Sequence, residues 1–224
     1  MITCDRLSAI VSLMTATTAA LVVVAPPSYA ASVFLVNSGV TSVTLDTELL
    51  ASVGLSLTGA DNTVPAADRF LVGFNITPET NFTFSNANGF TLLGGAIAHE
   101  GSVTFNDALT VGNFSIGFDQ TRVTENASGL FVRDTLDTEA ILFDVVTPSE
   151  LAFEEAEEIL FLEAELLISD EFAEFLGNTD LAGGVVGAAR TEAMTSAIPE
   201  PSTILGTFLA GGLLSAVRRR TKLK

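Results

Sequence analysis

The chain has 224 residues, of which 48% are hydrophobic, and a formal net charge of -17 at pH 7. This length suits one domain between processed ends. The acidity is concentrated in residues 31–198, which hold 25 of the 27 acidic side chains but only four of the 10 basic ones, a net charge of −21. Such a surface repels phosphate backbones, which argues against nucleic acid as a partner.

Residues 1–30 have the layout of a secretory signal peptide. Arg6 supplies a positive start, and an apolar stretch over 7–25 ends at a pair of prolines. Ser28 and Ala30 then place small residues where signal peptidase requires them, which predicts cleavage after Ala30. The alternative is an uncleaved N-terminal anchor. The only cysteine, Cys4, lies in this segment, so the rest of the chain has no thiol for a disulfide, a metal site or a nucleophile.

From about residue 32 to 146, apolar and polar side chains alternate in short runs separated by turn signals. The runs include 70–76, 82–85, 103–105, 114–118 and 141–145. Short alternating runs at this spacing are typical of an antiparallel β-sandwich or jelly roll. We therefore predict that residues 31–187 form an acidic, mainly β domain with one short helix, whose phenylalanines fill the core.

Residues 149–168 allow two interpretations. The glutamates at 154–158 favour a helix, whereas the dense apolar run that follows favours a buried strand. We expect a strand over about 159–168, with one long amphipathic helix as the alternative. Ser169 then caps a short helix from Asp170 to Leu176, and Gly177 lies just past its end.

A glycine-rich segment, 183–187, follows that helix. It is no phosphate-binding loop, because it lacks the Lys-Ser/Thr of a Walker motif and the strand–helix context of a dinucleotide site. It is interpreted as a flexible final strand or the start of a linker. Residues 188–198 are predicted to be a spacer that lets the domain clear the membrane.

The C-terminal segment, 199–224, combines three features in order. Pro199-Glu200-Pro201 comes first, an apolar run from Ile204 to Val217 follows, and a basic cluster closes the chain at Arg218, Arg219, Arg220, Lys222 and Lys224. As a helix the apolar run is about 21 Å long, short of the roughly 30 Å hydrocarbon core. The basic cluster predicts a cytoplasmic C-terminus, with the acidic domain on the outer side.

This arrangement resembles the PEP-CTERM sorting signal, and the wording PEPSTILG is similar to cyanobacterial members in particular. The resemblance implies that an exosortase-type membrane enzyme acts near Pro199, Glu200 and Pro201. It also implies a transient inner-membrane stage before the protein reaches the cell surface, the outer membrane or the extracellular space. The alternative is an ordinary tail anchor. The resemblance implies nothing about residues 31–187.

No constellation of side chains in the central domain points to catalysis. His99 is the only histidine, so a general base or metal ligand there would lack a second imidazole, and no Gly-x-Ser-x-Gly elbow is present. Asp134 with Asp137, or Asp119 with Asp144, are the carboxylate pairs that a secreted glycoside hydrolase would need. Solvated surface charge is the expected explanation for them.

No cofactor is predicted for this chain. Calcium is the one ligand considered, in the loops with Asn106-Asp107 or Asp61-Asn62, although no EF-hand or nonapeptide calcium pattern is present. Carbohydrate platforms usually use Trp and Tyr, and this chain has no Trp and a single Tyr, Tyr29, in the signal segment. The leading hypothesis is a non-enzymatic surface or matrix protein. The alternative is a carbohydrate- or calcium-binding module at the cell surface, with exopolysaccharide as its partner.

Overall fold

A computed structural model of the chain describes residues 33–199, and this part is mainly β. The strands are β1 (Val33–Leu45), β2 (Leu57–Asp61), β3 (Val72–Asn75), β4 (Thr83–Ser85), β5 (Thr91–Gly94), β6 (Ile97–Ala98), β7 (Ser102–Phe105), β8 (Leu109–Gly112), β9 (Ser115–Val123), β10 (Ser128–Arg133), β11 (Ile141–Val145), β12 (Glu150–Glu154), β13 (Ile159–Ile168) and β14 (Val185–Ile198). The helices are α1 (Thr47–Ser52) and α2 (Asp170–Phe175), and a 3₁₀ turn spans Thr179–Leu181.

Antiparallel ladders join these strands in two unequal sheets. The larger has 11 strands in the order β5-β4-β1-β14-β13-β11-β10-β9-β6, with β12 also paired to β13 and β3 to β1. The smaller has the order β2-β7-β8. The large sheet is curled, because Phe84 near one end and Ile116 near the other belong to the same core. The predicted mainly antiparallel β class is confirmed, and two sheets around one core are consistent with a β-sandwich.

Phenylalanines form much of this core, as the sequence predicted. Phe34 and Phe84 are buried, and the half-buried Phe153 reaches them from β12. The ring centroids of Phe34 and Phe153 lie 4.4 Å apart, and those of Phe84 and Phe153 lie 5.1 Å apart in an edge-to-face arrangement. Aromatic pairs of this kind stabilise a fold beyond the effect of burying their surface. They therefore stabilise the packing of β12 against the start of β1.

The two local predictions near residue 160 are confirmed. The strand β13 covers 159–168, and its burial by β14 on one side and by β12 and β11 on the other explains its dense apolar content. The hydroxyl of Ser169 accepts a hydrogen bond from the Phe172 N–H at 3.0 Å and so caps α2. Gly177, with a φ of 72°, turns the chain away after the helix.

The prediction of one short helix is wrong, because α1 is a second one. Asp46 caps it by accepting hydrogen bonds from the N–H groups of Glu48 and Leu49, at 3.1 and 2.9 Å. Leu50, which is buried, anchors the helix to the core. The capping signal is present in the sequence, but the helix is too short to show a hydrophobic period.

The prediction of a spacer at 188–198 is also wrong, because these residues form most of β14. This strand lies between β1 and β13 and pairs with both. Thr191 and Ala193, on its inner face, are 1% and 0% exposed. Small side chains suit a strand this crowded: a Cβ on Gly187 would overlap the carbonyl oxygen of Thr44. Taken as a sequence without its neighbouring strands, this run of small and polar residues is also typical of a flexible linker.

Candidate functional site

The candidate functional site is the edge of the domain where the described residues begin and end. Val33, at the start of β1, is the register partner of Ile198, at the end of β14. Pro199 follows directly and is exposed. The other predicted targeting features lie outside the described residues: Ala30, Glu200, Pro201, the run 204–217 and the basic cluster at Arg218, Arg219, Arg220, Lys222 and Lys224.

An acidic hairpin turn lies beside this edge. The last residue of β12, Glu154, and the turn that joins β12 to β13 together carry four glutamates, which are all exposed: Glu154, Glu155, Glu157 and Glu158. Among residues 33–199, no basic side chain comes within 4.0 Å of any of the four. The backbone N–H and the hydroxyl of Thr195 both donate to the carbonyl oxygen of Glu158, at 2.8 and 2.9 Å. The turn is therefore attached to the last part of β14.

The end of β14 has a free side next to this turn. Met194 is the last residue paired with β13, because β13 begins at its partner Ile159. Residues of an antiparallel strand alternate in the side to which their backbone groups point. The N–H and C=O of Ala197 thus point to the same side as those of Thr195, where the described chain places no further strand. This short edge leads directly into Pro199.

His99 lies in the core, 4% exposed, and is held at both ring nitrogens. Its Nδ1 is 3.0 Å from the carbonyl oxygen of Phe114, and its Nε2 is 2.7 Å from the hydroxyl of Thr41. Since a carbonyl only accepts, Nδ1–H donates to Phe114, and in the neutral ring that burial favours, Nε2 accepts from Thr41. The hydroxyl of Thr191 in turn donates to that of Thr41 at 2.9 Å. Both ring nitrogens of the imidazole are therefore hydrogen-bonded within the fold.

Burial lowers the pKa of His99 to about 4, against the opposing effect of its backbone hydrogen bonds. A cavity of about 50 Å³ adjoins the imidazole between the two sheets, and its other walls are mainly apolar, including Phe74, Val103 and Val132. This volume suits water-sized occupants only. The site that His99 forms is thus a buried polar chain within the core and lacks the open approach that a general base needs.

The carboxylate of Asp134 organises a loop. It is 0% exposed and accepts hydrogen bonds from the N–H groups of Gly112 and Leu136, and from both the N–H and the hydroxyl of Thr138. Burial raises the pKa of Asp134, but these hydrogen bonds outweigh burial and the pKa is lowered. The expectation of solvated surface charge is therefore wrong for Asp134, whereas Asp137, the other carboxylate of that pair, is exposed and donates its backbone N–H to Asp134 at 3.2 Å.

Asp144 and Asp119 have separate partners. Arg122 holds Asp144 with two hydrogen bonds, at 2.6 and 3.0 Å, and holds Glu171 with two more, at 2.6 and 2.9 Å. The bonds from Arg122 lower the pKa of Glu171. Asp119 accepts from the N–H and the hydroxyl of Thr121 at a strand surface. The hydrogen bonds of the Arg122 guanidinium therefore connect β9 to β11 and α2, which is a structural role.

In the two loops considered for calcium, the amide side chains are hydrogen-bonded within the fold. The side chain of Asn106 accepts from the Ser56 N–H at 2.8 Å and donates to the Gly54 carbonyl at 2.7 Å. Asn62 donates to Glu100 at 3.2 Å. In the described part of the chain, no group of three or more His, Cys, Asp or Glu side chains is arranged to hold a metal ion.

Thr41 and Thr191, which complete the polar chain to His99, were not predicted from the sequence. Both threonines lie on inner faces, and β14 does alternate buried Ala189, Thr191, Ala193 and Thr195 with outward side chains. This alternation with a period of two is a signal for a β-strand in the sequence. It is weak because the buried residues are alanine and threonine and not large apolar side chains.

No family model matches the chain, and no curated protein matches it. The chain is similar to the C-terminal domain of HtaA from Corynebacterium glutamicum, at 13% identity and a TM-score of 0.46, over 73% of this chain and 99% of that one. Between residues 33 and 199, no helix is long and apolar enough to cross a membrane.

Proposed function

We propose that this chain is an exported surface or extracellular-matrix protein of non-enzymatic, structural or interaction type, sorted through Pro199-Glu200-Pro201. The observation that supports it best is the pairing of Val33 with Ile198. Both ends of the folded domain lie at one edge, an arrangement that allows the predicted membrane segments before and after it to meet the same bilayer.

The charge distribution supports the same topology. Residues 31–198 carry a net charge of −21, while five of the 10 basic side chains lie beyond residue 217. A basic C-terminus stays cytoplasmic, which leaves the acidic domain outside. A cleaved signal peptide leads to the same orientation.

A non-enzymatic role is supported by how the candidate catalytic side chains are used. His99 is hydrogen-bonded at both nitrogens inside the core. Asp134 and Asp144 are each held by donors of the fold. A general acid or base has to be in reach of a substrate, and these three groups serve packing and loop geometry instead.

Replacing Pro199, Glu200 and Pro201 by Ala tests the sorting proposal. We expect the triple variant to keep its C-terminal segment and to stay in the membrane fraction, because the processing enzyme no longer recognises it. The readout is the mass of the protein and its distribution between membrane, cell surface and medium. Pro78→Ala with Glu79→Ala, an exposed Pro-Glu pair inside the domain, is the matched control. Unchanged processing of the triple variant would overturn the proposal.

Carbohydrate binding is the second candidate, and one groove favours it. A groove of about 390 Å³ lies on the outer face of β1 and β14, between the segment 65–67 and the side chains of Arg190 and Met194. Met194 is 59% exposed there, and an apolar surface beside a charged side chain is a usual composition for a small-molecule site. Polysaccharide pulldown with the wild-type protein, against Met194→Glu, tests this function. Equal retention of both would remove it.

A further inference from the structure

Arg190, on the outer face of β14, has hydrogen-bonding capacity that the fold does not use. Among the buried side-chain nitrogen and oxygen atoms of residues 33–199, only Nε of Arg190 has no hydrogen-bond partner. Its ion pair with Glu163 joins Nη1 to the carboxylate at 3.6 Å, which is too long for a hydrogen bond. Buried donors are nearly always paired in folded proteins, so this one requires an explanation, and an acceptor from a ligand is one.

Arg122 shows which kind of acceptor fits the open edge of Arg190. In Arg122, Nε and Nη2 form one edge of the guanidinium and hold the two oxygens of Asp144 at 2.6 and 3.0 Å. The ion pair from Arg190 to Glu163 uses Nη1 and leaves the corresponding edge, which contains the unpaired Nε. This edge matches the two oxygens of a carboxylate. A carboxylate from outside the fold is therefore the acceptor that Arg190 fits.

The sheet holds this guanidinium at one end of the groove on the outer face of β1 and β14. Arg190 lines the groove, and its side chain is 28% exposed. Its guanidinium carbon lies 5.7 Å from the ring centroid of Phe161 on β13, a contact that stabilises the position of the side chain. The strand register places Arg190 between Ser42 of β1 and Glu163 of β13. The cation is thus presented to the groove by rigid strands.

The charge at this end of the groove differs from that of the rest of the domain. Residues 31–198 contain four arginines and 25 acidic side chains. Two of the four, Arg69 and Arg190, each lie 3.6 Å from the carboxylate of Glu163. Because two guanidinium groups share one carboxylate, this cluster keeps a positive charge. It attracts an anionic group that the surrounding acidic surface repels.

The other end of the groove suits the hydroxyl groups and the carbon face of a sugar. Glu192 and Met194 follow Arg190 at every second position of β14, so the three side chains share the outer face. From Arg190 to Met194 the strand extends about 13 Å, at roughly 3.3 Å per residue. The exposed carboxylate of Glu192 accepts hydrogen bonds from hydroxyl groups and repels a second anionic group. Met194, 59% exposed, offers an apolar surface to a pyranose ring.

We infer that this groove binds a saccharide unit with a single carboxylate, which Arg190 holds while a neutral sugar extends past Glu192 to Met194. This inference deepens the carbohydrate-binding candidate and rests on it. The groove volume of about 390 Å³ lies within the range of roughly 300–1,000 Å³ that is typical of small-molecule sites. The ligand class is therefore a uronic acid linked to a neutral hexose.

The test compares two disaccharides that differ only in one group. Cellobiouronic acid is glucuronic acid linked to glucose, and cellobiose has a hydroxymethyl group in place of the carboxylate. Titration calorimetry with the full chain at neutral pH measures the affinity for each. We expect the acidic disaccharide to bind at least about tenfold more tightly, because a paired, charged hydrogen bond to Arg190 is stronger than a neutral one.

Variants of two arginines locate the source of this preference. Arg190→Gln removes the guanidinium, and we expect it to bind the two disaccharides with equal affinity. Arg190→Lys keeps the charge but loses the paired donors, so it should keep only part of the preference. Arg133→Gln is the matched control, because that guanidinium also lies over a ring, 5.9 Å from the centroid of Phe131, but does not line the groove. It should keep the full preference.

The wild-type chain alone is sufficient to decide, so a variant that fails to fold does not weaken the test. Equal affinity of the wild-type chain for the two disaccharides, or an unchanged preference in Arg190→Gln, would overturn the inference and leave the carbohydrate-binding candidate in place. Binding of neither disaccharide would also overturn the inference. The polysaccharide pulldown with Met194→Glu then decides separately on the carbohydrate-binding candidate.

Discussion

The carbonyl oxygen of Glu158 accepts two hydrogen bonds from Thr195, one from its backbone N–H at 2.8 Å and one from its hydroxyl at 2.9 Å. These bonds join the turn of the β12–β13 hairpin to the last part of β14. These two hydrogen bonds therefore help to set the position of the acidic turn relative to the strand that leads to Pro199.

Replacing Thr195 by Val removes the hydroxyl and keeps the shape of the side chain. We expect the free energy of unfolding to fall by about 1 kcal/mol, because one hydrogen bond is lost while the backbone bond to Glu158 remains. Urea unfolding of the exported protein measures the change. Thr147→Val, at an exposed position in the β11–β12 connection, is the control and should change stability by less than about 0.5 kcal/mol. Equal stability of the two variants would contradict the role given to Thr195.

The buried imidazole of His99 predicts a pH dependence of stability. Its pKa is about 4 in the folded domain, and the ordinary value of 6.5 applies to the unfolded chain. Between these values the unfolded chain binds the proton and the folded chain does not, so stability is full above pH 6.5 and falls as the pH is lowered. We expect a loss of about 2 kcal/mol between pH 6.5 and 5.

Urea midpoints across this window, with the imidazole resonances followed by NMR, give the measurement. The carboxylates of Asp134 and Glu171 have lowered pKa values and stay ionised in that range, so they do not mask the effect. A His99 ring that takes up its proton near pH 6.5 in the folded protein would contradict its burial.

Asp134 and Asp137 should differ sharply although the sequence presents them as a pair. Asp134→Asn places an amide where the N–H and hydroxyl of Thr138 donate, and we expect it to lower the free energy of unfolding by about 2–3 kcal/mol. Asp137→Asn, at an exposed side chain, should change it by less than about 0.5 kcal/mol. Thermal unfolding of both variants decides. Similar effects of the two substitutions would show that Asp134 does not organise the loop.

Arg122 should not be replaceable by Lys. The guanidinium makes paired hydrogen bonds to Asp144 and to Glu171, whereas an ammonium offers a single point of contact. We expect Arg122→Lys to reduce stability by about 1 kcal/mol, a value that allows for the partial exposure of Glu171. Arg133→Lys, where the guanidinium lies 5.9 Å over the ring of Phe131, is the comparison and should cost less. A larger loss of stability for Arg133→Lys than for Arg122→Lys in chemical unfolding would contradict the structural role of the paired hydrogen bonds of Arg122.

Local patterns predicted those elements whose signals lie within a few residues. The strand 159–168 and the Ser169 cap of α2 follow from dense apolar content and from a capping residue before acidic positions. The fate of 188–198 depends on partners far along the chain, since β14 pairs with Val33–Leu45 and with Ile159–Leu167. Alanine and threonine become core residues only when those neighbours are in place.

The candidate site likewise combines features that the local sequence predicts with features that depend on distant parts of the chain. The motif at 199–201 is readable as a short sequence, but its direct attachment to a central strand is a property of the sheet. His99 likewise appears at a strand end in the sequence, and only the folded sheets bring Thr41 and Thr191 to it.

The mass of the protein recovered from outside the cell tests the central claim most directly. If the chain is exported and sorted as proposed, this mass corresponds to a chain that starts at Ala31 and ends close to Pro199-Glu200-Pro201, without the segment 204–224. An intact C-terminus at Lys224 in the recovered protein, with no shorter species, would contradict the account.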